Sequence, residues 1–427
     1  MKISAINRNW YIFYMRIIFI HQNLPGQFRH LIAKYANVGY ADIIGVGDRK
    51  WVSGNLHKLP QGFKVAVYDM QRDVEHGVGP HLQSIAAAVH RGLIVAQTLL
   101  AFKKNGFIPD IVYAHPGWGE ALYVKDIFPD VRLVNFCEFY YRSHGQDVNF
   151  DPEYPSNFDE VLQLRIRNAP HLLSLDAMDC GISPTHWQRQ CFPSSYHSRI
   201  AVVHDGVDTE VIRPNPDAKL TLSNGWSVTC ADEVITFVNR NLEPCRGFHI
   251  FMRALPKLLQ ERPKAQVVIV GGDEVSYSKP SIQGSYRAQM LAELSQALGA
   301  NLDRVHFLGK ITYDKYLNVL QISTAHVYLT YPFVLSWSML EAMAAGCVLI
   351  GSRTRPVQEV VEHGRNGYLV DFFSPQEIAE TVIDVCERKK EMDDIRFSAR
   401  QTIVDKFDLR RICLPRQMAL LEHGLMS

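Results

Sequence analysis

The chain lacks charge imbalance: 45 lysines and arginines stand against 44 aspartates and glutamates in 427 residues. It therefore offers no basic field for nucleic acid. Cysteine is sparse. The eight residues (137, 180, 191, 230, 245, 347, 386 and 413) form no CxxC and no Cys/His cluster of metal spacing. They read as reduced, mostly buried thiols of a cytosolic protein. No apolar run reaches the about 18 residues of a transmembrane helix. Trp10 to Ile20 is apolar but broken by Arg16, and no small-residue cleavage site follows. Met15 directly precedes a strong first strand, so residues 1–14 read as a short surface arm or as an extension from a different start codon.

What is present is an alternation of apolar strands and amphipathic helices, in two successive series. The length suits two or three domains. One stretch, Tyr331 to Gly346, organises the second series. It joins an apolar strand (325–330) to a helix and then to another strand (347–350), a βαβ unit. Its loop lies at the carboxyl edge of a parallel sheet, where open α/β sheets bind ligands. The free N–H groups of the helix's first turn favour an anion there. Glu341 has two readings: it accepts hydrogen bonds from hydroxyls of a ligand, or it forms a capping box with Ser338.

In the first series, strand 16–20 runs into His21-Gln22-Asn23-Leu24-Pro25-Gly26-Gln27-Phe28, whose density of polar groups makes Gly26 and Gln27 candidates for a substrate loop. Strands follow at 42–46 and 63–68, with 48–61 loop-like between them. The helix 81–105 carries an apolar stripe of Ile85, Ala88, Val89, Leu93 and Ala96; His76, His81 and His90 near it fit no metal pattern. The strand after Asp110 ends in His115, ahead of a Gly turn, where an imidazole either donates to a sugar hydroxyl or a forming oxyanion or bonds the loop backbone. Glu138, at the end of strand 132–136 among aromatics, either faces an acceptor as a proton-accepting carboxylate or pairs with Arg142. The polar segment 143–158 is long enough for a lid or acceptor loop. A helix at 165–178, a strand at 180–184, a helix capped by Thr185 and a last strand at 200–203 complete the series.

Residues 209–232 read as an irregular linker. In the second series, strand 234–239 is followed by Arg240 and Arg246 around a short loop, with Gly247 opening a helix. Two arginines in that place suit a diphosphate. Strand 265–271 and helix 285–298 come next. Val305-His306-Phe307-Leu308-Gly309 is a short strand and turn able to hold a base through the backbone of Phe307 and Leu308. Residues 362–370 read as a Gly-rich hairpin, and helices at 375–390 and roughly 409–425 close the chain.

These pieces carry a resemblance. His204-Asp205-Gly206-Val207-Asp208, Arg240…Arg246-Gly247, Val268-Ile269-Val270-Gly271-Gly272, Val305 to Gly309, Leu340-Glu341-Ala342-Met343-Ala344-Ala345-Gly346 and Glu362 to Val370 resemble, in order, the donor domain of family 4 glycosyltransferases. His21 to Phe28 resembles the first loop of bacterial members. The resemblance implies an α/β protein of GT-B architecture, two Rossmann-like β/α/β domains facing each other across a cleft: an acceptor domain (15–208), a linker (209–232), a donor domain (233–405) and a terminal helix (406–427) returning to the first domain. It implies a retaining transferase of polysaccharide or glycoconjugate assembly, with a nucleotide-diphosphate sugar as donor and a glycan or lipid-linked acceptor. No metal, other cofactor or nucleic acid is expected. The expected place is the cytoplasm, peripheral to the inner face of the membrane if the acceptor is lipid-linked. Arg240 and Arg246 would hold the diphosphate and offset leaving-group charge, Glu341 the donor ribose, His115 the transferred sugar, and the Leu335 and Ser336 amides the phosphate. The family carries a further glutamate eight positions ahead of Glu341, where this chain has Phe333. That departure implies a less hydroxylated donor such as a deoxy-sugar, recognition moved to other residues, or a silent nucleotide-sugar-binding or scaffold subunit. A nucleotide-sugar 2-epimerase is a further alternative with the same architecture.

Overall fold

The structure is a computed structural model that describes residues 14–70, 78–222 and 225–425. Residues 1–13 and His76, named above, lie outside the described residues.

The strands are β1 (Met15–Ile20), β2 (Ala41–Asp48), β3 (Lys64–Tyr68), β4 (Ile111–Ala114), β5 (Arg132–Phe136), β6 (Cys180–Ser183), β7 (Ile200–Val202), β8 (Lys219–Thr221), β9 (Ser227–Thr229), β10 (Val234–Asn241), β11 (Gln266–Gly272), β12 (Val305–Phe307), β13 (Ala325–Tyr328), β14 (Leu349–Ser352) and β15 (Tyr368–Val370). They form a seven-stranded sheet, β3-β2-β1-β4-β5-β6-β7, a six-stranded sheet, β12-β11-β10-β13-β14-β15, and a small ribbon, β8-β9. Every pair in the two large sheets is parallel. Parallel sheets are covered on both faces, which is why their strands are apolar without interruption. In β1, Ile17 and Phe19 enter one core cluster and Ile18 and Ile20 the other, all fully buried. In β10, Ile235 and Phe237 face one cluster, Val234 and Val238 the opposite one.

The two sheets repeat one order. Each first strand lies between the second and the fourth, so the loops leaving β1 and β4, and those leaving β10 and β13, turn to opposite faces and open a crevice. Those crevices face each other across a shared cleft. The chain passes between the domains twice, side by side: Val207 and Asp408 form an isolated parallel bridge, and the Thr209 hydroxyl donates to the Asp408 carboxylate. The last helix (Leu414–His423) returns to the first domain, where Leu421 is fully buried and the Tyr35 hydroxyl donates to Glu422 at 3.0 Å.

Several local expectations change. Residues 49–55, expected as loop, are a helix whose N-terminus is capped by the Asp48 carboxylate. The expected irregular linker contains the β8–β9 ribbon. Residues 362–370 are not a hairpin: a turn leads into β15, which adds parallel to β14. Asp393–Lys406 is a further helix. The expected helix 165–178 is two helices, Phe158–Arg167 and Ala169–Ala177. The helix after β3 (Pro80–Lys104) buries Ala87, Ala88, Gly92, Val95 and Leu99, whereas Leu93 is 49% exposed. Small residues lead because the neighbouring turn comes close: a Cβ on Gly92 would stand 2.8 Å from the Gly119 carbonyl oxygen. Contrary to the sequence reading, this helix is long and apolar enough to cross a membrane by length and composition. Here it flanks the first sheet.

Candidate active site

The cleft encloses about 650 Å³. Its first-domain wall is built on the carboxyl ends of β1, β4 and β5. Gly26 takes φ +48°, and the His21 imidazole lies where a Cβ would be, 2.5 Å from that position. His21 Nδ1 accepts from the Asn23 amide (2.9 Å), so its proton is on Nε2, which donates to Gln27 Oε1 (2.7 Å). Burial, then the neighbouring His115, lowers the His21 pKa to about 3 and keeps the ring neutral. Gln27 Nε2 donates in turn to Glu138 Oε1 (2.8 Å). His115 Nδ1 accepts from the Gly117 amide (3.2 Å), which leaves Nε2–H to donate to Glu138 Oε2 (3.3 Å). The His115 ring stacks on Trp118 with centroids 4.3 Å apart. Glu138 is thus the shared acceptor of a chain His21–Gln27–Glu138–His115, with 29% of its side chain open. Burial opposes its ionisation, but the hydrogen bonds from His115 and Gln27 outweigh it and hold the carboxyl below the usual glutamate range. Arg142 does not pair with Glu138: its guanidinium donates to the carbonyls of Gln190, Cys191 and Phe192.

The second-domain wall is built on β10 and β13. Gly247 takes φ +68° and lies so close to Leu329 that a Cβ would stand 2.4 Å from the leucine Cβ. This contact sets Arg246 deep between the two loops. Arg246 is 6% exposed, and its Nη1 donates to Thr330 Oγ1 (2.8 Å), the Val334 carbonyl (3.0 Å) and the Tyr328 hydroxyl (3.4 Å). Its guanidinium lies 5.5 Å from the Tyr277 ring centroid and 5.7 Å from that of Phe333. Among the described residues no carboxylate forms an ion pair with it. Arg240 is exposed at the rim of the same cleft, its side chain likewise without an ion pair among the described residues. A buried cation without a carboxylate is costly unless something anionic completes it.

The other expected residues fall as follows. Gly26, Gln27, Glu138, Phe333, Leu335 and Ser336 all line the cleft. His115, 3% exposed, stands behind Trp118 and Glu138, which do line it. The Ser336 amide, expected to be free for phosphate, donates to the Tyr328 hydroxyl (2.9 Å). Ser336 itself caps the helix Trp337–Ala344, so Glu341 forms no capping box. Glu341 instead accepts from Tyr313 (3.3 Å) and Tyr316 (2.5 Å); it is 9% exposed, and burial raises its pKa. Phe307 ends the edge strand β12 and Leu308 follows it; neither is among the residues that line the cleft. The Leu308 amide is used by the Ile269 carbonyl (2.9 Å). Phe333 meets Phe139 edge-on (4.8 Å) and Tyr277 (4.9 Å), so an aromatic wall stands beside Arg246.

Sequence reasoning missed the residues that join the walls. Asp205 accepts from the Trp337 indole (2.8 Å), and Arg29 lies 5.4 Å from the same ring. Burial pushes Asp205 up to about 7, with the Trp337 hydrogen bond opposing. Glu243 accepts from the amides of Ser276, Tyr277 and Ser278 and so seats the Tyr277 loop. The polar segment 143–157 is a strap lying on the second domain. Asp151 accepts from His249 (2.9 Å) and the Tyr331 hydroxyl (2.7 Å), Glu153 takes a bidentate contact from Arg253, and Phe150 meets Tyr331 and Phe372. Asp151, Glu153 and His249 group their ligand atoms within 4.8 Å. Their atoms are already engaged by one another and by Arg253, which makes this a strap anchor.

Comparison with known proteins bears on the family and the fold. Residues 46–212 match the family described as Glycosyl transferase family 4 group, and residues 229–402 match Glycosyl transferases group 1. D-inositol 3-phosphate glycosyltransferase of Mycolicibacterium smegmatis is 29% identical over 193 residues, 45% of this chain and 41% of that protein. Spore coat protein SA of Bacillus subtilis is 25% identical over 229 residues, 52% of this chain and 58% of its own length. The chain thus spans 41% and 58% of these two relatives' lengths. Among solved structures, Anabaena HepE in complex with UDP and glucose superposes with a TM-score of 0.65 at 21% identity, covering 96% of this chain and 100% of that one. Sucrose-phosphate synthase of Thermosynechococcus elongatus gives 0.66 at 15% identity, covering 96% and 98%.

Proposed function

Because the chain belongs to the family 4 and group 1 glycosyltransferases and has their GT-B fold, we propose that it transfers a sugar, with retention of configuration, from a nucleotide-diphosphate sugar to a glycan or lipid-linked acceptor. The observation that carries this reading is Arg246, a buried guanidinium without an ion-pairing carboxylate among the described residues, at the switch point of the donor sheet with Arg240 at its rim. A departing nucleoside diphosphate supplies the missing charge. In the reaction the bond from the anomeric carbon to the diphosphate oxygen breaks, a bond from that carbon to the acceptor oxygen forms, and the acceptor proton leaves with the diphosphate. Arg240 and Arg246 stabilise the charge that develops on the leaving group. His115, anchored through Nε2 to Glu138, stands behind the wall formed by Trp118 and Glu138 and acts on the transferred sugar through them. A carboxyl held below its usual range is a weak base at neutral pH, so Glu138 orients His115 and an acceptor hydroxyl. Glu341, on its two tyrosine hydroxyls, is assigned to the ribose.

UDP-sugars are the first donors to try, given the UDP in the Anabaena structure; GDP- and dTDP-sugars complete a thermal-shift screen. A donor at a large multiple of its Kd should stabilise the chain by about 3 kcal/mol. With that donor, Arg240→Ala should lower kcat/KM by about a hundredfold, the value of one charged contact at a transition state. Full activity in this variant sinks the proposal. Phe333 supports one second reading, a silent nucleotide-sugar-binding subunit. It predicts tight donor binding with no nucleotide released from any donor, whereas a 2-epimerase would convert donor without an acceptor.

A further inference from the structure

Arg246 and Arg240 account for a diphosphate, but the cleft holds another fixed guanidinium. Arg167, at the end of the helix Phe158–Arg167, lies with its central carbon 3.9 Å from the Tyr141 ring centroid and donates through Nη2 to the Tyr141 hydroxyl (2.8 Å). Both residues line the cleft. Among the described residues no carboxylate is within ion-pair distance of Arg167. Glu138 is committed to His115 and Gln27, and Asp147 in the strap acts on Arg167 only at longer range. Tyr141 meets Phe139 edge-on (5.3 Å), Phe139 meets Phe333 (4.8 Å), and Phe333 faces Arg246. Two guanidinium groups therefore stand at opposite ends of one aromatic wall, of the kind that packs on the C–H face of a sugar.

We propose that one of the two sugars bound in this cleft carries an anionic substituent, a carboxylate or a phosphate, that Arg167 binds. The inference rests on the cleft being a nucleotide-sugar site. The contact with the Tyr141 ring and the hydrogen bond to its hydroxyl hold the guanidinium in place, which favours a two-point grip on a carboxylate or phosphate. Phe333 adds no negative charge to oppose it. The group belongs either to the donor, as in a nucleoside-diphosphate hexuronic acid, or to the acceptor, as in a sugar phosphate.

The test uses the full chain, Arg167→Gln and Arg167→Lys, and two matched pairs: UDP-glucuronic acid against UDP-glucose, and a hexose phosphate against the free hexose as acceptor. The quantity read is the ratio of kcat/KM, anionic over neutral. One pair should give a ratio of at least about ten, the value of a charge-assisted hydrogen bond, which glutamine should bring toward one and lysine should partly keep. The pair that responds identifies which sugar is charged. Calorimetric affinities for the same pairs read the preference without turnover. Binding with the preference but no transfer sinks the transferase reading alone. Ratios near one in both pairs, in rate and in affinity, or a ratio unmoved by glutamine, overturn the role of Arg167.

Discussion

Replacing Arg246 by methionine should abolish most transfer, lowering kcat by about a thousandfold or more. Removing one preorganised donor from a developing oxyanion costs about 2.7–4 kcal/mol, and a buried guanidinium is both donor and charge. The competing explanation is that Arg246 is only a clamp, since Nη1 ties Thr330 to the Val334 carbonyl. The two separate cleanly. A clamp lost would lower the melting temperature and leave kcat near normal well below that temperature. An anion site lost would lower kcat at every temperature and weaken nucleoside diphosphate binding by calorimetry. Arg246→Lys sharpens the comparison, because lysine keeps the charge but cannot reach several acceptors in one plane. It should recover affinity for nucleoside diphosphate more than it recovers kcat.

The second large effect is on stability. Asp151→Ala strips the strap of its anchor and leaves His249 Nε2 and the Tyr331 hydroxyl buried without their acceptor. Each orphaned group costs about 1–3 kcal/mol, so the variant should lose about 2–5 kcal/mol. Denaturant unfolding followed by intrinsic fluorescence measures this loss. A change under about 0.5 kcal/mol would show that the anchor is only a surface contact. The interaction is also pH-dependent. Burial works against the Asp151 carboxylate, but hydrogen bonds from His249, Tyr331 and the Glu153 amide outweigh it and lower its pKa. A lowered carboxyl contributes fully above its unfolded value, near 3.8, and the contribution is lost as pH falls below that toward the folded value. The difference between parent and variant should therefore shrink below about pH 4. Because Tyr331 opens the donor loop, the variant should also raise the KM for donor.

Much of this was legible in the residues. Strands covered on both faces must be apolar throughout, so β1, β4, β5 and β10 stand out, and the polar groups at their carboxyl ends mark the candidate site. His115, Glu138, Gln27 and Arg246 were found that way, and the structure joins the first three in one hydrogen-bonded chain. What escaped depends on partners distant in sequence. Asp151 has no meaning until His249, 98 residues on, is beside it. Asp205 lies in a motif noted for its order, but nothing near it announces Trp337. The Ser336 amide looked free because the Tyr328 hydroxyl that occupies it comes from the preceding strand. The helix Arg49–Asn55 was missed because its sequence is polar and short of apolar period; its signal is the Asp48 cap. Leu93 was placed inside by period alone, and close packing of Ala88 and Gly92 turned it outward.

The side-by-side crossings at Val207 and Asp408 carry one more consequence. The first domain is not finished when its last strand, β7, leaves the ribosome. Its core still lacks Leu421, and Tyr35 still lacks Glu422, both supplied by the helix Leu414–His423 after the second domain has been made. In the order of synthesis the donor half can close first, as a complete unit, while the acceptor half waits for the final turns of the chain. A nascent chain arrested before residue 414 should therefore protect the second domain from protease while the first stays open to cleavage.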